Sequence, residues 1–104
     1  MSSVDVSVEN GQITVNEHTL SMVGKGRNAP IHWDLTTPGW VFPQDGIVID
    51  DNKGQFVQMR PIDQGRKFSC LDKNDDGKAY KYTIKVSNGT DTLVLDPVIQ
   101  NGGE

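Results

Sequence analysis

The sequence of 104 residues contains one cysteine, three glutamates, two alanines and no long run of apolar residues. Its single cysteine, Cys70, excludes an internal disulfide and suits a reducing cytoplasm. No stretch approaches the roughly 20 apolar residues of a membrane-spanning helix, and the N-terminal segment lacks the basic and apolar regions of a signal peptide. We therefore expect a cytoplasmic protein that has no membrane partner.

The chain also lacks a concentration of positive charge. Ten lysines and arginines face 14 aspartates and glutamates, which gives a net charge of -4, and the basic residues are scattered along the chain. Nucleic-acid-binding surfaces need a basic patch or stripe, so we expect no nucleic-acid partner. No complete catalytic or cofactor motif occurs either, so we expect a non-enzymatic protein without a cofactor.

The residue types that are abundant favour strands. Valine and isoleucine together contribute 18 residues, against seven for alanine and leucine, and β-branched side chains favour strands over helices. Eleven aspartates, seven asparagines and 11 glycines supply the turns that many short strands require. We predict an all-β fold with a single β-sandwich domain over residues 1–97 and a C-terminal tail over residues 98–104.

Alternation of apolar and polar residues predicts about eight strands. The clearest alternation covers residues 80–86. Hairpins are predicted at Asn10-Gly11 and Asn88-Gly89, because Asn-Gly favours the tight turns that join antiparallel strands. The segments 47–49 and 56–59 flank a polar turn and are predicted to pair with each other. Frequent turn signals of this kind are typical of an antiparallel β-sandwich.

Two of the predicted strands resemble those of immunoglobulin-like domains. The pattern Ile31-x-Trp33-x-Leu35 resembles strand C of that fold, in which a tryptophan is buried. The pattern that resembles strand F is Asp76-Gly77-x-x-Tyr80-x-Tyr82-x-Ile84-x-Val86. This resemblance implies an immunoglobulin-like sandwich that lacks the usual pair of inter-sheet cysteines.

The end of the chain carries a second resemblance. The segment Asp96-Pro97-x-Ile99-x-Asn101, together with the chain length, is similar to a small family of uncharacterised bacterial proteins, the DP-EP family. The resemblance implies a bacterial protein and implies no known activity. Similarity of fold alone would transfer no function.

A short acidic segment has the spacing of half a calcium-binding loop. Asp72, Asn74 and Asp76 supply oxygen atoms at positions 1, 3 and 5, and Gly77 stands at position 6. Position 12, where calcium loops carry a glutamate, is Thr83. Two interpretations stay open: a calcium site, and a turn in which these side chains bond to the backbone and Gly77 has a positive φ. The missing glutamate favours the turn.

Two other loops have polar residues that could bind ions. The acidic turn Asp50–Asn52 could share a cation with the segment Asp72–Asp76 if the fold brings them together. Gly24–Asn28 combines flexible backbone N–H groups with two cations, which is a way to hold an anion. We favour ordinary solvated connections for both.

Soft metal ligands and the thiol give two further alternatives. The candidate copper ligands are His18, Met22, His32, Met59 and Cys70, and their spacing does not match a copper site. Cys70 with His32 as its base would make a nucleophile if the fold united them. A free cysteine among apolar neighbours is more often a buried structural residue, and we favour that interpretation.

The sequence favours a binding function over catalysis. The aromatic segment Trp40–Pro43 belongs either to the core, which we favour, or to an exposed recognition patch. We expect a protein-binding or assembly module with an unidentified protein partner, and a calcium-binding module as the alternative. Strand addition at an exposed edge would also produce a homo-oligomer, but no residue pattern identifies the edge.

Overall fold

The computed structural model describes residues 2–104, which form ten strands in two five-stranded sheets. The strands are β1 (Ser2–Glu9), β2 (Gln12–Val15), β3 (Thr19–Ser21), β4 (Ala29–Leu35), β5 (Ile47–Ile49), β6 (Phe56–Ile62), β7 (Lys67–Asp72), β8 (Ala79–Ser87), β9 (Thr92–Leu95) and β10 (Val98–Gln100). Within this range the helical structure is one 3-10 turn, Asp63–Gly65, and no helix is long and apolar enough to cross a membrane. The fold is all-β, its strand count exceeds the eight or so expected, and its two sheets are compatible with a β-sandwich.

The first sheet has the strand order β2-β1-β4-β7-β6. Its first two strands form the hairpin predicted at Asn10-Gly11, where φ angles of 53° and 73° fit the turn that Asn-Gly favours. The central strand β4 buries Ile31, Trp33 and Leu35 on its core face. The alternation in the sequence therefore identifies the buried face of this strand correctly.

The second sheet is organised around β8. Strand β5 pairs with one edge of β8, while β9 and β10 follow each other along the opposite edge. Between β9 and β10 the carbonyl of Pro97 accepts the N–H of Tyr82 at 3.0 Å. The backbone hydrogen bonds along this edge of β8 therefore continue from one strand to the next. Strand β3 pairs with β10 and forms an outer edge. Residues 98–104, which the sequence predicts as a tail, thus contain a strand of this sheet, and Asn101 beyond it is buried.

Both sheets are mixed, which corrects the prediction of a purely antiparallel sandwich. Strand β1 runs parallel to β4, and β3 runs parallel to β10. The predicted pairing of 47–49 with 56–59 is also wrong, because β5 pairs with β8 and β6 pairs with β7. Asp51 and Lys53, with φ of 53° and 49°, lie in the connection that takes the chain between the sheets. Alternation defines the faces of a strand but not the distant strand beside it.

An aromatic cluster joins the two sheets. Trp33 of the first sheet and Tyr82 of the second have ring centroids 5.6 Å apart, and the indole N–H of Trp33 donates to the Tyr82 hydroxyl at 3.1 Å. Phe68 packs edge-on against both Trp33 and Phe42. All four side chains are buried, so the segment Trp40–Pro43 contributes Phe42 to the core.

Tyr82→Phe is expected to lower the free energy of unfolding by about 1 to 3 kcal/mol, because it leaves the indole N–H of Trp33 buried without an acceptor. The control Thr83→Ala removes an exposed hydroxyl that donates to Asp96, and it should change this free energy by less than about 0.5 kcal/mol. Urea unfolding at pH 7 measures both variants. Equal effects would contradict a stabilising role for the buried hydrogen bond.

Candidate functional site

The loop with the spacing of half a calcium site is built around the buried side chain of Asn74. Its Nδ2 donates to the carbonyls of Met22 and Gly26 at 2.8 and 2.9 Å, and its Oδ1 accepts the N–H of Gly102 at 2.8 Å. The segments that follow β3 and β10 are therefore both hydrogen-bonded to this loop. Asn74 itself has a φ of 57°, a conformation that asparagine adopts more readily than most residues.

Asp76 uses both of its carboxylate oxygens within the protein. Its Oδ1 accepts the N–H of Lys78 and the side-chain amide of Asn101, each at 3.1 Å, and its Oδ2 accepts the hydroxyl of Tyr80. Partial burial raises the pKa of Asp76, but these hydrogen bonds outweigh it and hold that pKa below its ordinary value. Burial, followed by the bond to Asp76, raises the pKa of Tyr80 to about 12. This carboxylate therefore ties the start of β8 to the segment after β10.

Asp72 is the buried acid of this network. Its Oδ1 accepts the N–H of Asn74 at 2.9 Å, whereas its Oδ2 has no hydrogen-bond partner among the described residues. Burial raises the pKa of Asp72 to about 6; the bond from Asn74 opposes this shift, and the charges of Asp76 and Asp75 add to it. The Asp72 carboxyl therefore titrates near the physiological range.

Two residues of the network have no motif in the sequence that would predict them. Asn101 Nδ2 also contacts Gln55 Oε1 at 3.3 Å, across 46 positions of the chain. Gln55 in turn donates to Asp75 Oδ1 at 3.0 Å and accepts the N–H of that residue at 3.2 Å. Only the tertiary fold brings these amides to the acidic loop.

The oxygens of this network do not fit a calcium ion as they stand. Calcium takes about six to eight oxygen ligands. The side-chain oxygens of Asn74 and Asp76 already accept hydrogen bonds, and the buried acceptors without a partner are Asp72 Oδ2 and Asn101 Oδ1. Within residues 2–104 no group of three or more histidine, cysteine, aspartate and glutamate side chains is placed to hold a metal. Calcium binding by Asp72, Asn74 and Asp76 stays a prediction.

The two other candidate loops are engaged within the protein. In the acidic turn Asp50–Asn52, the side chain of Asn52 accepts the N–H of Phe56 at 2.6 Å and donates to its carbonyl at 2.8 Å. These two bonds stabilise the turn. In the loop Gly24–Asn28, the N–H of Gly26 donates to the carboxylate of Glu104 at 3.2 Å. The carboxylate of Glu104 thus accepts from one of the N–H groups that the alternative interpretation assigns to an external anion.

Cys70 and His32 lie on opposite faces of the first sheet. Cys70 stands opposite Ile31, and both point into the core, whereas His32 lies on the outer face. Burial, and then the charge of Asp72, raises the pKa of Cys70 to about 12. The thiol therefore stays protonated at neutral pH and is a poor nucleophile.

The outer side of β3 is open. In a parallel pair only alternate residues of a strand bond to a given neighbour. His18 and Met22 bond to β10, at 2.9 and 2.8 Å. The residues at odd positions between them, Thr19 and Ser21, therefore direct their backbone N–H and carbonyl groups away from β10, and both are exposed.

A groove of about 460 Å³ runs beside this edge. It is lined by all three residues of β3, by Ser2 and Ser3 of β1, and by Glu17, Val23 and Lys25 before and after β3. Strand β2 pairs only with residues 6–9 of β1, so among the described residues the start of β1 has no strand neighbour on that side. Two open strand edges thus meet at one groove.

Three other outer strands have features that discourage pairing. Strand β6 contains Pro61 and a bulge in which Gln58 has a φ of 56°, and both features discourage an added strand. Strand β2 lies beside β9 of the other sheet. Strand β5 has Asp45 before it and Asp50 and Asp51 after it. Charged side chains at an edge also discourage pairing.

Comparison with known proteins assigns no family to the chain. No protein-family model matches the sequence, and no curated protein matches it. The resemblance to the DP-EP family therefore stays a prediction, and the function has to be inferred from the geometry of the protein itself.

Asn74→Asp distinguishes the two interpretations of the acidic loop. In the hydrogen-bond network it sets a carboxylate against the carbonyls of Met22 and Gly26, so the free energy of unfolding should fall by about 2 kcal/mol or more. Aspartate is a good ligand at the third position of a calcium loop, so a calcium site predicts that the ion restores the stability. Urea unfolding with and without calcium chloride decides between them.

Asn88→Asp is the matched control for that experiment. The side chain of Asn88 only accepts hydrogen bonds, from the N–H groups of Thr90 and Asp91 at 2.9 and 2.7 Å. Aspartate can accept the same bonds, so this variant should keep the parent stability. A loss as large as that of Asn74→Asp would show that added negative charge, and not the buried network, causes the effect.

Asp72→Asn should make the protein more stable at pH 7. The raised pKa means that the folded state holds a proton that the unfolded state releases, so stability falls as the pH rises from about 4 to about 6. The variant removes this loss, which amounts to at most about 3 kcal/mol for a shift of this size. Urea unfolding between pH 4 and pH 7 should give a difference between variant and parent that grows with pH. Asp51→Asn, at an exposed turn, should differ from the parent by an amount that does not grow with pH. If the stability difference between Asp72→Asn and the parent is also independent of pH, the raised pKa is refuted.

Proposed function

We propose that this chain is a non-enzymatic cytoplasmic protein-binding and assembly module, and that its binding surface is the open edge of β3. The partner is an extended polypeptide segment that pairs with β3 as an additional strand. The observation that carries the proposal is that β3 and the start of β1 present two unpaired edges to one groove. Added strands bind through main-chain hydrogen bonds, and neighbouring side chains supply the selectivity.

We assign the sandwich to the immunoglobulin-like type. The assignment is supported by Trp33 in β4, which is buried against Tyr82 in β8, as the tryptophan of strand C is buried in that fold. A non-enzymatic role is supported by the buried, protonated thiol of Cys70 and its separation from His32. The loops and edges are then the parts that can recognise a partner.

The groove has a polarity that an extended partner can match. Glu17 lines the groove before β3 and Lys25 lines it after β3, with exposed Thr19 and Ser21 between them in the chain. Val23 adds an apolar side chain that is 58% exposed. Lys25 lies on the turn that follows β3, where its N–H donates to the carbonyl of Met22 at 3.2 Å. A segment that runs antiparallel to β3 has its N-terminus near this turn and its C-terminus near Glu17, so an acid at the first and a base at the last complement the charges beside the groove.

A model strand tests the proposal. The probe is a capped peptide of about nine residues, alternating threonine and valine between an N-terminal glutamate and a C-terminal lysine. Two-dimensional amide NMR should show saturable shifts at Thr19, Ser21 and Ser3, with a dissociation constant on the order of 1 mM or below, as expected for a single short strand pair. Shifts confined to β5 or β2, or no shifts at millimolar peptide, would refute the proposal.

Two control peptides separate strand pairing from unspecific contact. A peptide with N-methyl groups on the residues that face β3 keeps the side chains but loses the main-chain donors, so it should not bind. A peptide with the glutamate and lysine exchanged keeps the backbone and reverses the charge match, so it should bind more weakly. Equal binding of all three peptides would contradict strand addition.

Calcium binding by Asp72, Asn74 and Asp76 is the alternative function. It is supported by two buried oxygens of the network that have no hydrogen-bond partner, Asp72 Oδ2 and Asn101 Oδ1, from which an ion site could be completed. The unfolding experiment with Asn74→Asp and calcium tests it directly.

A further inference from the structure

We infer that the partner segment lies between β3 and the start of β1 and pairs with both, so that it needs two free edges. A segment with two free edges is a chain terminus or a disordered stretch, because the outer strand of a folded sheet has only one. The inference rests on the proposed function and names the class of its partner. Edge strands of folded domains do not belong to this class.

The groove arises where the chain changes sheets after β2. Asn16 still follows β1, because its N–H donates to the carbonyl of Asp5 at 3.2 Å. If the register of β1 with β2 continued, position 18 would lie opposite Ser3. The carbonyl of His18 accepts the N–H of Val98 at 2.9 Å instead, so this residue joins the second sheet. Ser3 is thereby left without the neighbour that a longer β2 would supply.

The main chain of Ser3 faces the groove. Along β1, the carbonyl of Val6 accepts the N–H of Thr36, directly after β4, whereas the carbonyl of Asp5 accepts that of Asn16 on the opposite side. The main-chain groups of alternate residues in a strand point to opposite edges. Ser3, like Asp5, therefore points away from β4, and it is exposed.

The space between the two edges suits one strand. The sheets pack against each other through Trp33 and Tyr82. Stacked sheets lie about 10 Å apart and neighbouring strands about 4.8 Å apart, so a strand midway between two stacked edges is one strand spacing from each. With the rise along a strand, these spacings give roughly 160 Å³ per residue. The groove of about 460 Å³ thus has room for about three residues, which is also the length of β3.

A segment in this space meets open main-chain groups on both sides. Thr19 and Ser21 present theirs from β3, and Ser3 presents its own from β1. The residues of the segment point alternately to its two edges, so pairing with both strands uses all of its main-chain groups. An edge strand of a folded sheet already uses half of its groups within its own domain, so it could pair with β3 or with β1 but not with both.

Alternate N-methylation of the model peptide tests pairing on two sides. One peptide is methylated on the residues that face β3, and the other on the residues that face β1. Both should bind at least roughly tenfold more weakly than the unmodified peptide, because each loses the donors of one edge. If the segment pairs with β3 alone, the peptide that is methylated on its β1-facing residues binds like the unmodified one, and the inference is overturned.

A hairpin tests the class of partner. The probe contains the model peptide as one strand of a disulfide-closed β-hairpin, so that this strand keeps a single free edge. The linear peptide should bind at least roughly tenfold more tightly, because the hairpin loses the main-chain bonds to one of the two strands. A hairpin is ordered before it binds, which favours it wherever one edge suffices. Equal or tighter binding of the hairpin would therefore contradict the inference.

Amide hydrogen exchange locates the pairing. When nine-tenths of the protein is bound, exchange at Ser3, Thr19 and Ser21 should slow roughly tenfold, in proportion to the free fraction that remains. The control is the amide of Ile47, which lies on the outer edge of β5 because the flanking residues 46 and 50 bond to β8. Its exchange rate should not change.

The outcomes separate this inference from the proposed function. If the peptide slows exchange at Thr19 and Ser21 but not at Ser3, strand addition to β3 stands and pairing on two sides is overturned. If the unmodified peptide does not bind at β3, the proposed function fails and the inference fails with it.

Discussion

The hydrogen bonds of Asn74 hold the open edge of β3 in position. Its side chain binds the carbonyl of Met22, directly after β3, and the N–H of Gly102, shortly after β10. Strands β3 and β10 are only three residues long and pair with each other, so they depend on what fixes their ends. An amide can satisfy acceptors and a donor at once, which an apolar side chain or a carboxylate could not do. The acidic loop thus determines where the open edge lies.

The same residue types serve a calcium site and a backbone network for one physical reason. Carboxylate and amide oxygens bind a hard cation or accept N–H groups equally well. Which of the two occurs depends on what the rest of the chain brings to the loop. Here Asn101 and Gly102 bring N–H groups, and they reach the loop only through strand β10 and the segment after it. The sequence of the loop itself contains no information about them.

Local patterns in the sequence predict local structure well. The hairpin at Asn10-Gly11, the buried face of β4 and the alternation of β8 follow from turn chemistry and from the two faces of a strand. The partners of β5, the parallel pairs and the strand within residues 98–104 depend on contacts between distant segments, so alternation could not predict them. The open edge belongs to this second group, because an edge is defined by the neighbour that is missing.

Main-chain donors and acceptors are alike on every edge strand, so the flanking side chains have to decide which edge accepts a partner. The net charge of -4 makes two copies repel at long range, but at physiological salt this repulsion is screened beyond roughly 8 Å. Within that distance the local charges dominate. Strand β5 has acids before and after it, although Asp45 is paired with Lys85, whereas β3 has Glu17 before it and Lys25 on the turn after it. Edges that carry different charges at their ends therefore favour different partner strands, even though their main-chain groups are alike.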